Sequence, residues 1–250
     1  MPKTLIKQLP EFTKKVEGED KLAISEMFSD TIQGEGVNAG MISTFLRLQG
    51  CTLECVWCDT LEVWRFGNEY TFDEIFTLFE SVDLIPRLKE GQSLVLTGGS
   101  PVKQQLRLIK FIKAFISKYG FKPHIQIENE CTLMPMSDLI ELIDVWNNSP
   151  KLSNSGMKER PRLKPAVISK ISSLPNAWFK FVIATHEDWE EIKRDYLPLM
   201  KKSQIILMPE GVTQEELSKN REWVADMAID NGVRYCDRLH VILWNKKTGV

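Results

Sequence analysis

Short apolar runs alternate along most of the chain with segments in which apolar residues recur at helical spacing. β-Branched and aromatic residues crowd the run Met41–Leu48, which stops just before Gly50, and this composition predicts a buried strand. Similar runs predict further strands over Ser93–Thr97, His124–Glu128, Trp178–Ile183, Gln204–Met208 and Leu239–Leu243. Helical spacing predicts helices over Phe72–Phe79, Asp138–Trp146, Glu187–Tyr196 and Gln214–Asp230. The last of these begins with Thr213 and Glu216 at capping-box spacing.

The segment after Ser93–Thr97 shows how these elements follow one another. Gly98 and Gly99 interrupt the strand pattern, and Pro101 can open a helix in which apolar residues recur at Leu106, Ile109, Ile112 and Ile116. The same order of strand, loop and helix returns along the chain. Together with the apolar strands, it predicts an α/β fold with a mostly parallel sheet, open or closed into a barrel.

Two segments depart from this pattern. Residues 1–21 carry charges without periodicity, so we expect an N-terminal extension followed by a single domain over 22–250. The segment Asn147–Pro165 contains three prolines, five basic residues and few apolar ones. It is predicted to be a long surface loop, and such loops inside a compact domain are usually functional or mobile.

Composition narrows the class of protein. A chain of 250 residues with 43% apolar content can bury a full core. A formal charge of -2, from 32 basic and 34 acidic residues, argues against nucleic acid as a partner. The chain lacks an apolar run of about 18 residues and an apolar N-terminal signal, so we expect a cytoplasmic protein without membrane attachment.

Three of the five cysteines fall on one short segment, at Cys51, Cys55 and Cys58. This clustering favours a metal site in a reducing compartment over a disulfide framework. Three thiolates on one loop can bind three irons of a four-iron cluster and leave the fourth iron open. A zinc site completed by Cys131 or a distant histidine is the alternative, although a second ligand pair at zinc-site spacing is missing. Alone, Cys131 and Cys236 are typical of small buried residues.

The cysteine spacing directly after a strand resembles the signature of the radical S-adenosylmethionine superfamily. Its members bind S-adenosylmethionine at the open iron and generate a carbon radical from it. Trp57 matches an aromatic residue that the superfamily places against the adenine, although core packing would also explain it. Thr97–Pro101 resembles the glycine-rich motif that meets the methionine amino group. Ser100 stands there where glutamate is commoner, which puts one side-chain contact in doubt.

Other segments resemble one family in this superfamily, 7-carboxy-7-deazaguanine synthase. They are Glu26–Gly36, Phe45–Cys51, Cys58–Thr60, Ser149–Lys151 and Leu239–Val250. The resemblance implies a partial (β/α) barrel that contracts 6-carboxy-5,6,7,8-tetrahydropterin to 7-carboxy-7-deazaguanine with loss of ammonia, for queuosine-type bases. It also implies a homodimer, a 4Fe-4S cluster, S-adenosylmethionine, Mg²⁺ and an electron donor such as flavodoxin or ferredoxin.

The resemblance also implies a set of site residues. Gln33 and Glu35 would pair with the pterin edge, Arg47 would hold its carboxylate, and the substrate set comprises Ile32, Gln33, Gly34, Glu35, Arg47, Thr97, His240 and the C-terminal carboxylate of Val250. Thr60 would bind Mg²⁺. S-adenosylmethionine would contact Trp57, Cys58, Asp59, Gly98, Gly99, Glu128, Ser149, Pro150, Lys151, Met208, Pro209, Glu210 and Gly211.

Some of these assignments have plainer alternatives. Lys151 could neutralise the methionine carboxylate or belong to a solvated basic loop, and Glu128 could bind the ribose or face water. His124 and His240 could be structural histidines in strands. A glycyl-radical activating enzyme would share the cysteine loop, and a zinc-binding interaction module is the alternative from outside enzymes.

Overall fold

Parallel strands form most of one mixed sheet. The computed structural model describes residues 3–7, 14–58, 68–245 and 247. Its strands are β1 (Lys3–Ile6), β2 (Lys21–Ile32), β3 (Ile42–Leu48), β4 (Asn68–Thr71), β5 (Ser93–Gly98), β6 (His124–Asn129), β7 (Val145–Asn148), β8 (Ala177–Ile183), β9 (Ile205–Pro209) and β10 (Arg234–Tyr235). Their order is β1-β2-β3-β5-β6-β7-β8-β9-β10, with β4 also paired to β2. Pairing is parallel from β3 to β10 and antiparallel among β1, β2, β3 and β4.

Helices connect the parallel strands. They are α1 (Phe72–Ser81), α2 (Leu84–Lys89), α3 (Gln105–Tyr119), α4 (Ser137–Leu142), α5 (Glu159–Arg162), α6 (Pro165–Ser172), α7 (Glu187–Glu191), α8 (Gln214–Asp230) and α9 (Leu239–Trp244). The segment Ile192–Tyr196 continues α7 as a π-helix. The described part of the chain contains no helix long and apolar enough to span a bilayer. The sheet is open and mostly parallel, as expected for a partial barrel. The predicted α/β fold class is therefore confirmed.

The two faces of the sheet differ in chemistry because successive side chains of a strand point to opposite sides. One face carries Leu46, Leu96, Ile127 and Phe181, which are fully buried in the main apolar core. The opposite face carries polar side chains near the carboxyl ends of the strands: Arg47, Thr97, Glu128, Asn147 and Lys180. The strand pattern therefore places these polar groups on one face of the sheet, toward the end at which the cysteine loop follows β3.

Two predicted elements were wrong in type. The helix expected over Asp138–Trp146 ends at Leu142, and residues 145–148 form β7 instead. The strand expected over Leu239–Leu243 is the helix α9. The N–H of Leu239 donates to the carbonyl of Gly34 at 2.9 Å, so a tertiary contact fixes the start of this segment.

The segment Asn147–Pro165 is not the exposed loop that its composition predicted. Its first residues lie in β7, and Arg162 is 4% exposed. The Arg162 guanidinium lies 2.6 Å from the Glu191 carboxylate, with both side chains nearly buried. Glu191 also accepts from the Ser153 N–H at 3.0 Å. This buried ion pair packs the segment against α7, so its basic residues are not all solvated.

The N-terminal residues contribute to the sheet as well. Within the segment 1–21 that we expected to be an extension, β1 pairs with β2 through Lys3↔Ser29 and Thr4↔Phe28. The Lys14 N–H donates to the Asn68 side chain at 2.6 Å. These contacts tie the described part of the segment to the antiparallel edge of the sheet.

Candidate active site

The cysteine loop lies at the carboxyl end of β3, against the segment that follows β7. The Val56 N–H donates to the carbonyl of Ser155 at 2.9 Å, and the Trp57 indole donates to the carbonyl of Asn154 at 3.1 Å. Asn154 is itself held by Asp188 at 3.0 Å. The loop therefore has a fixed support on the side of Trp57, although its own residues form no regular element.

None of the three loop cysteines is in a disulfide bond within the described residues; Cys55 is buried, and Cys51 and Cys58 are half-buried. Burial raises the pKa of Cys51 and of Cys55, and the nearby Lys151 cation opposes this shift at both. In the described ranges, no three His, Cys, Asp or Glu side chains are already gathered as a metal-binding group. The soft thiolate donors on one loop are what fit an iron-sulfur cluster, since thiolates are the protein ligands of such clusters.

The remaining cysteines differ from these three. Cys131 is fully buried in the apolar core, and Cys236 accepts a hydrogen bond from the Gly36 N–H at 3.4 Å. Burial raises the pKa of Cys131 well above its usual range and that of Cys236 to about 11. Both have the environment of structural cysteines.

The glycine turn after β5 packs directly against the cysteine loop. The Ser100 N–H donates to the carbonyl of Gly50 at 2.8 Å. A Cβ at Gly99 would lie 2.4 Å from the Gly50 oxygen and 2.6 Å from the Cys51 Cβ, and Gly98 has φ +134°. Because these two glycines have no side chains, the backbone of the cysteine loop can pack directly against the turn.

Replacing Gly99 by alanine is expected to make the cluster labile, because the new methyl must displace Gly50 or Cys51. Overpacking of this kind costs about 1–3 kcal/mol. Gly120→Ala is a matched control, since Gly120 has φ +75° but nothing within 4 Å of the added Cβ. Both variants should be destabilised, but only Gly99→Ala should release iron faster to a chelator. Equal release rates from the two variants would contradict this role for the turn.

Lys151 and Ser149, two of the predicted S-adenosylmethionine residues, lie beside a third, Trp57. The Lys151 ammonium lies 5.1 Å from the centre of the Trp57 ring and donates to the Ser149 hydroxyl at 3.0 Å. Ser149 is fixed by its N–H, which donates to the Asn129 carbonyl at 2.7 Å, and the adjacent Pro150 is buried. An aromatic face and a cation thus lie together beside the cysteines.

On the polar face of the sheet, Glu128 links two other predicted residues. Its carboxylate accepts from the Thr97 hydroxyl at 2.6 Å and from the Gln33 amide at 3.2 Å. Gln33 is only 1% exposed. The structure therefore brings the Gln33 segment at the end of β2 to the ends of β5 and β6. Glu128 belongs to a side-chain network and does not simply face water.

Arg47 lies at the same edge but already has a partner. Its Nε donates to the Glu26 carboxylate at 2.6 Å, and both side chains are mostly buried. This contact uses one edge of the guanidinium, which has five N–H donors in all. The remaining donors can bind a carboxylate, so an anion would share Arg47 with Glu26.

Glu35 forms a buried ion cluster that the sequence did not predict. Its carboxylate contacts the Lys180 ammonium, accepts from Arg238 Nε at 2.8 Å and lies 4.0 Å from His240 Nε2. Burial alone would raise the pKa of Glu35, but the two cations hold it well below its usual value. Burial alone would lower the pKa of Lys180, yet Glu35 and Glu128 raise it. This part of the site is therefore charged and paired.

Lys180 and Arg238 were missed, although Lys180 left a signal. It interrupts the apolar run of β8, where a charge is costly unless it has a partner. Asn147 was missed too; it is 2% exposed, and neither side-chain amide atom has a hydrogen-bond partner within the described ranges. Glu130, a buried carboxylate just after the end of β6, was missed as well.

The other predicted residues lie as follows. Ile32 ends β2, and a Cβ at Gly34 would lie 2.0 Å from His240 Nδ1, so the glycine admits α9. Met208–Gly211 lies at the end of β9, where the Gly211 carbonyl accepts from Arg238 at 2.8 Å. His124 is the first residue of β6, so it lies at the amino ends of the strands, away from the cysteine loop. Asp59, Thr60 and Val250 fall outside the described residues.

Comparisons with known proteins identify the family of the chain. A family described as a 4Fe-4S single cluster domain matches residues 32–164. The 7-carboxy-7-deazaguanine synthase of Pyrobaculum aerophilum is 30% identical, over 92% of this chain and 97% of that protein. The Rhodopirellula baltica enzyme of the same name is 31% identical, over 92% of this chain and 90% of that protein.

A solved structure shows the same fold. The crystal structure of QueE from Escherichia coli superposes with a TM-score of 0.63 at 21% identity, covering 88% of this chain and 95% of that one. The match to an iron-sulfur family sets aside the zinc interpretation of the cysteines. The identity and coverage of the two relatives show that the chain belongs to the 7-carboxy-7-deazaguanine synthase family.

Proposed function

We propose that the chain contracts the ring of 6-carboxy-5,6,7,8-tetrahydropterin to 7-carboxy-7-deazaguanine and releases ammonia. The observation that supports this most directly is the network of Gln33, Glu128 and Thr97 at the same sheet edge as the cysteine loop. A reduced pterin presents several donors and acceptors, so it needs amide, carboxylate and hydroxyl partners at fixed positions. A glycyl-radical activating enzyme, which acts on a protein, does not need that buried network.

Cys51, Cys55 and Cys58 would hold the 4Fe-4S cluster. When bound, the cluster and S-adenosylmethionine supply a carbon-centred radical. The chain's own contribution is to position the ligands: Trp57 offers a face for the adenine, and Lys151 offers a cation for the methionine carboxylate. The segment after β7 contains Lys151 and accepts the hydrogen bond of the Trp57 indole, so it positions both side chains.

The substrate would lie on the polar face of the sheet. Glu128, which the resemblance assigned to S-adenosylmethionine, bonds to Gln33 and Thr97, so we assign it to the substrate instead. Gln33 and Glu128 offer an amide and a carboxylate to the pyrimidine edge, and Arg47 offers guanidinium N–H groups to the pterin carboxylate. The Glu35 cluster would stiffen the backbone next to Gln33, because Lys180 and Arg238 bind Glu35 in the segment after β2. Mg²⁺ at Thr60, the contact from Val250, an electron donor and dimerisation are proposed from the resemblance alone.

The decisive experiment is a product assay. The reconstituted protein is incubated without oxygen with S-adenosylmethionine, a reductant and the carboxy-tetrahydropterin, and the products are identified by mass spectrometry. We expect 7-carboxy-7-deazaguanine. A protein with a full complement of iron and sulfide that yields none would overturn the proposal.

Arg47→Ala is expected to raise the KM for the pterin about 10- to 100-fold, because a charge-assisted hydrogen bond contributes about 1.5–3 kcal/mol. Iron content and S-adenosylmethionine affinity should stay unchanged, since Arg47 is assigned to the substrate and not to the cluster or to S-adenosylmethionine. Arg107→Ala is the control, because that arginine is 40% exposed and lies 3.8 Å from its nearest carboxylate. An Arg47→Ala enzyme with the KM of the unmodified protein would remove Arg47 from the substrate site.

A further inference from the structure

Glu130 is a buried carboxylate whose two oxygens have very different surroundings. The residue follows β6 and is 4% exposed. Oε1 lies within hydrogen-bond distance of three hydroxyls, those of Thr52 at 2.8 Å, Ser100 at 2.6 Å and Thr132 at 2.5 Å. The Thr52 and Thr132 hydroxyls are 2.6 Å apart, so one of them donates to the other and the remaining hydroxyls donate to Oε1. Oε2 is buried without any hydrogen-bond partner in the described part of the chain. The hydroxyls therefore fix the orientation of the carboxylate and leave one oxygen for another donor.

A carboxylate in this position needs a cation. Removing an ionised group from water is expensive unless it is paired and hydrogen-bonded. Among the residues that the structure describes, no lysine, arginine or histidine lies within 4.0 Å of Glu130. Neutral hydroxyls on Oε1 compensate only part of the loss. Oε2 can therefore take a charged donor that the described residues do not supply.

The location of Glu130 indicates which donor this is. Thr52 directly follows Cys51, and Ser100 directly follows Gly99, whose backbone touches Gly50 and Cys51. The unpartnered oxygen thus lies beside the loop that holds the cluster.

We propose that Glu130 Oε2 accepts a hydrogen bond from the ammonium group of S-adenosylmethionine, and that Ser100, Thr52 and Thr132 position the carboxylate. The assignment rests on the proposed function. A primary ammonium is the part of that ligand with both the charge and the donors that Oε2 lacks. Serine suits position 100 for the same reason, because a hydroxyl donates to Glu130 whereas a second carboxylate would repel it.

The test is Glu130→Gln, which keeps the shape and the carbonyl oxygen for the hydroxyls but places an amide donor toward the ammonium. Binding of radiolabelled S-adenosylmethionine to the reconstituted, cluster-loaded protein is measured by equilibrium dialysis. We expect the Kd to rise about 10- to 100-fold, as the loss of a charge-assisted hydrogen bond requires. Glu54→Gln is the matched control, because Glu54 is an exposed carboxylate on the same loop.

A ligand without the amino group tests whether Glu130 contacts that group. An S-adenosyl derivative that lacks it should bind the unmodified protein and Glu130→Gln with equal affinity. A double variant, Ser100→Glu with Glu130→Ser, places a carboxylate on the other side of the same contact and should recover much of the affinity.

Two results would overturn the assignment. One is unchanged S-adenosylmethionine binding in Glu130→Gln, and the other is an equal loss for the ligand without the amino group. If Glu130→Gln fails to hold its cluster, a double variant that also fails to bind would count against the assignment. Failure of the unmodified protein to bind S-adenosylmethionine at all would instead contradict the proposed function.

Discussion

Replacing Cys55 by alanine is expected to abolish product formation and to lower iron and sulfide in the reconstituted protein to background. The physical reason is that the loop supplies only three thiolates, so the loss of one leaves too few protein ligands to retain the cluster. Cys55 is the most informative of the three because it is 8% exposed, and an alanine there changes little else. Metal analysis and the visible spectrum of the anaerobic protein measure the effect.

Cys236→Ala is the matched control for this variant. Cys236 is equally buried at 8% exposed, but it lies beside Gly36 in a separate apolar group with Ile206 and Met208. We expect a normal cluster and measurable turnover, with a modest loss of stability from the small cavity. A Cys55→Ala protein that keeps a full cluster would show that the thiolates of this loop are not its ligands.

Glu35→Gln is expected to reduce the free energy of unfolding by about 3–5 kcal/mol, because it removes the anion that two buried cations share. The Lys180 and Glu35 side chains are 7% and 14% exposed, so solvent cannot replace the lost charge. Chemical denaturation under anaerobic conditions measures the change. Glu190→Gln is the control, since the Glu190–Lys193 pair is exposed at 66% and 45% and should contribute about 0–1 kcal/mol.

The effect of Glu35→Gln on the free energy of unfolding is expected to depend on pH. Because the folded-state pKa of Glu35 is lowered, its contribution is present above the unfolded pKa of about 4.3 and is lost as pH falls further. Because the folded-state pKa of Lys180 is raised, its contribution is present below about 10.4 and is lost at higher pH. The stability difference from Glu35→Gln should therefore be flat at neutral pH and shrink in acid. A difference that persists unchanged into acid would contradict the ionised pair.

Much of the parallel sheet could be predicted from local sequence. The helix over Gln214–Asp230 has the predicted bounds, and its capping box is formed by Thr213 and Glu216. The strands at β3, β5, β6, β8 and β9 also lie where apolar, β-branched runs placed them. These elements were predictable because their periodicity and their burial agree.

The elements that could not be predicted depend on tertiary contacts. β7 spans only Val145–Asn148, too short to show alternation, and its apolar residues continue the helical spacing of α4. No strand was predicted over β2. This strand is irregular, since Asp30 has φ +62° and the register with β3 shifts along it. The apolar run at Leu239 suits either a strand or a helix, and its contact with Gly34 decides between them.

The residues of the candidate site also fall into a group that the sequence indicates and a group that depends on tertiary contacts. Motif spacing and family resemblance located the cysteine loop, the glycine turn and the Gln33 segment. The partners of those residues, among them Lys180, Arg238 and Glu130, come from strands and loops distant in sequence and belong to no quoted motif. Their roles follow only from which side chains share a buried space.

The ion cluster at Glu35 has a consequence for the order in which the protein matures during synthesis. The cysteine loop and its described supports lie between residues 50 and 188, whereas Glu35 meets Arg238 across 203 positions of sequence. A nascent chain would have the three proposed cluster ligands outside the ribosome well before Arg238 emerges. On this assignment, iron-sulfur loading can precede formation of the Glu35 ion cluster, which needs Arg238 from a distant part of the sequence.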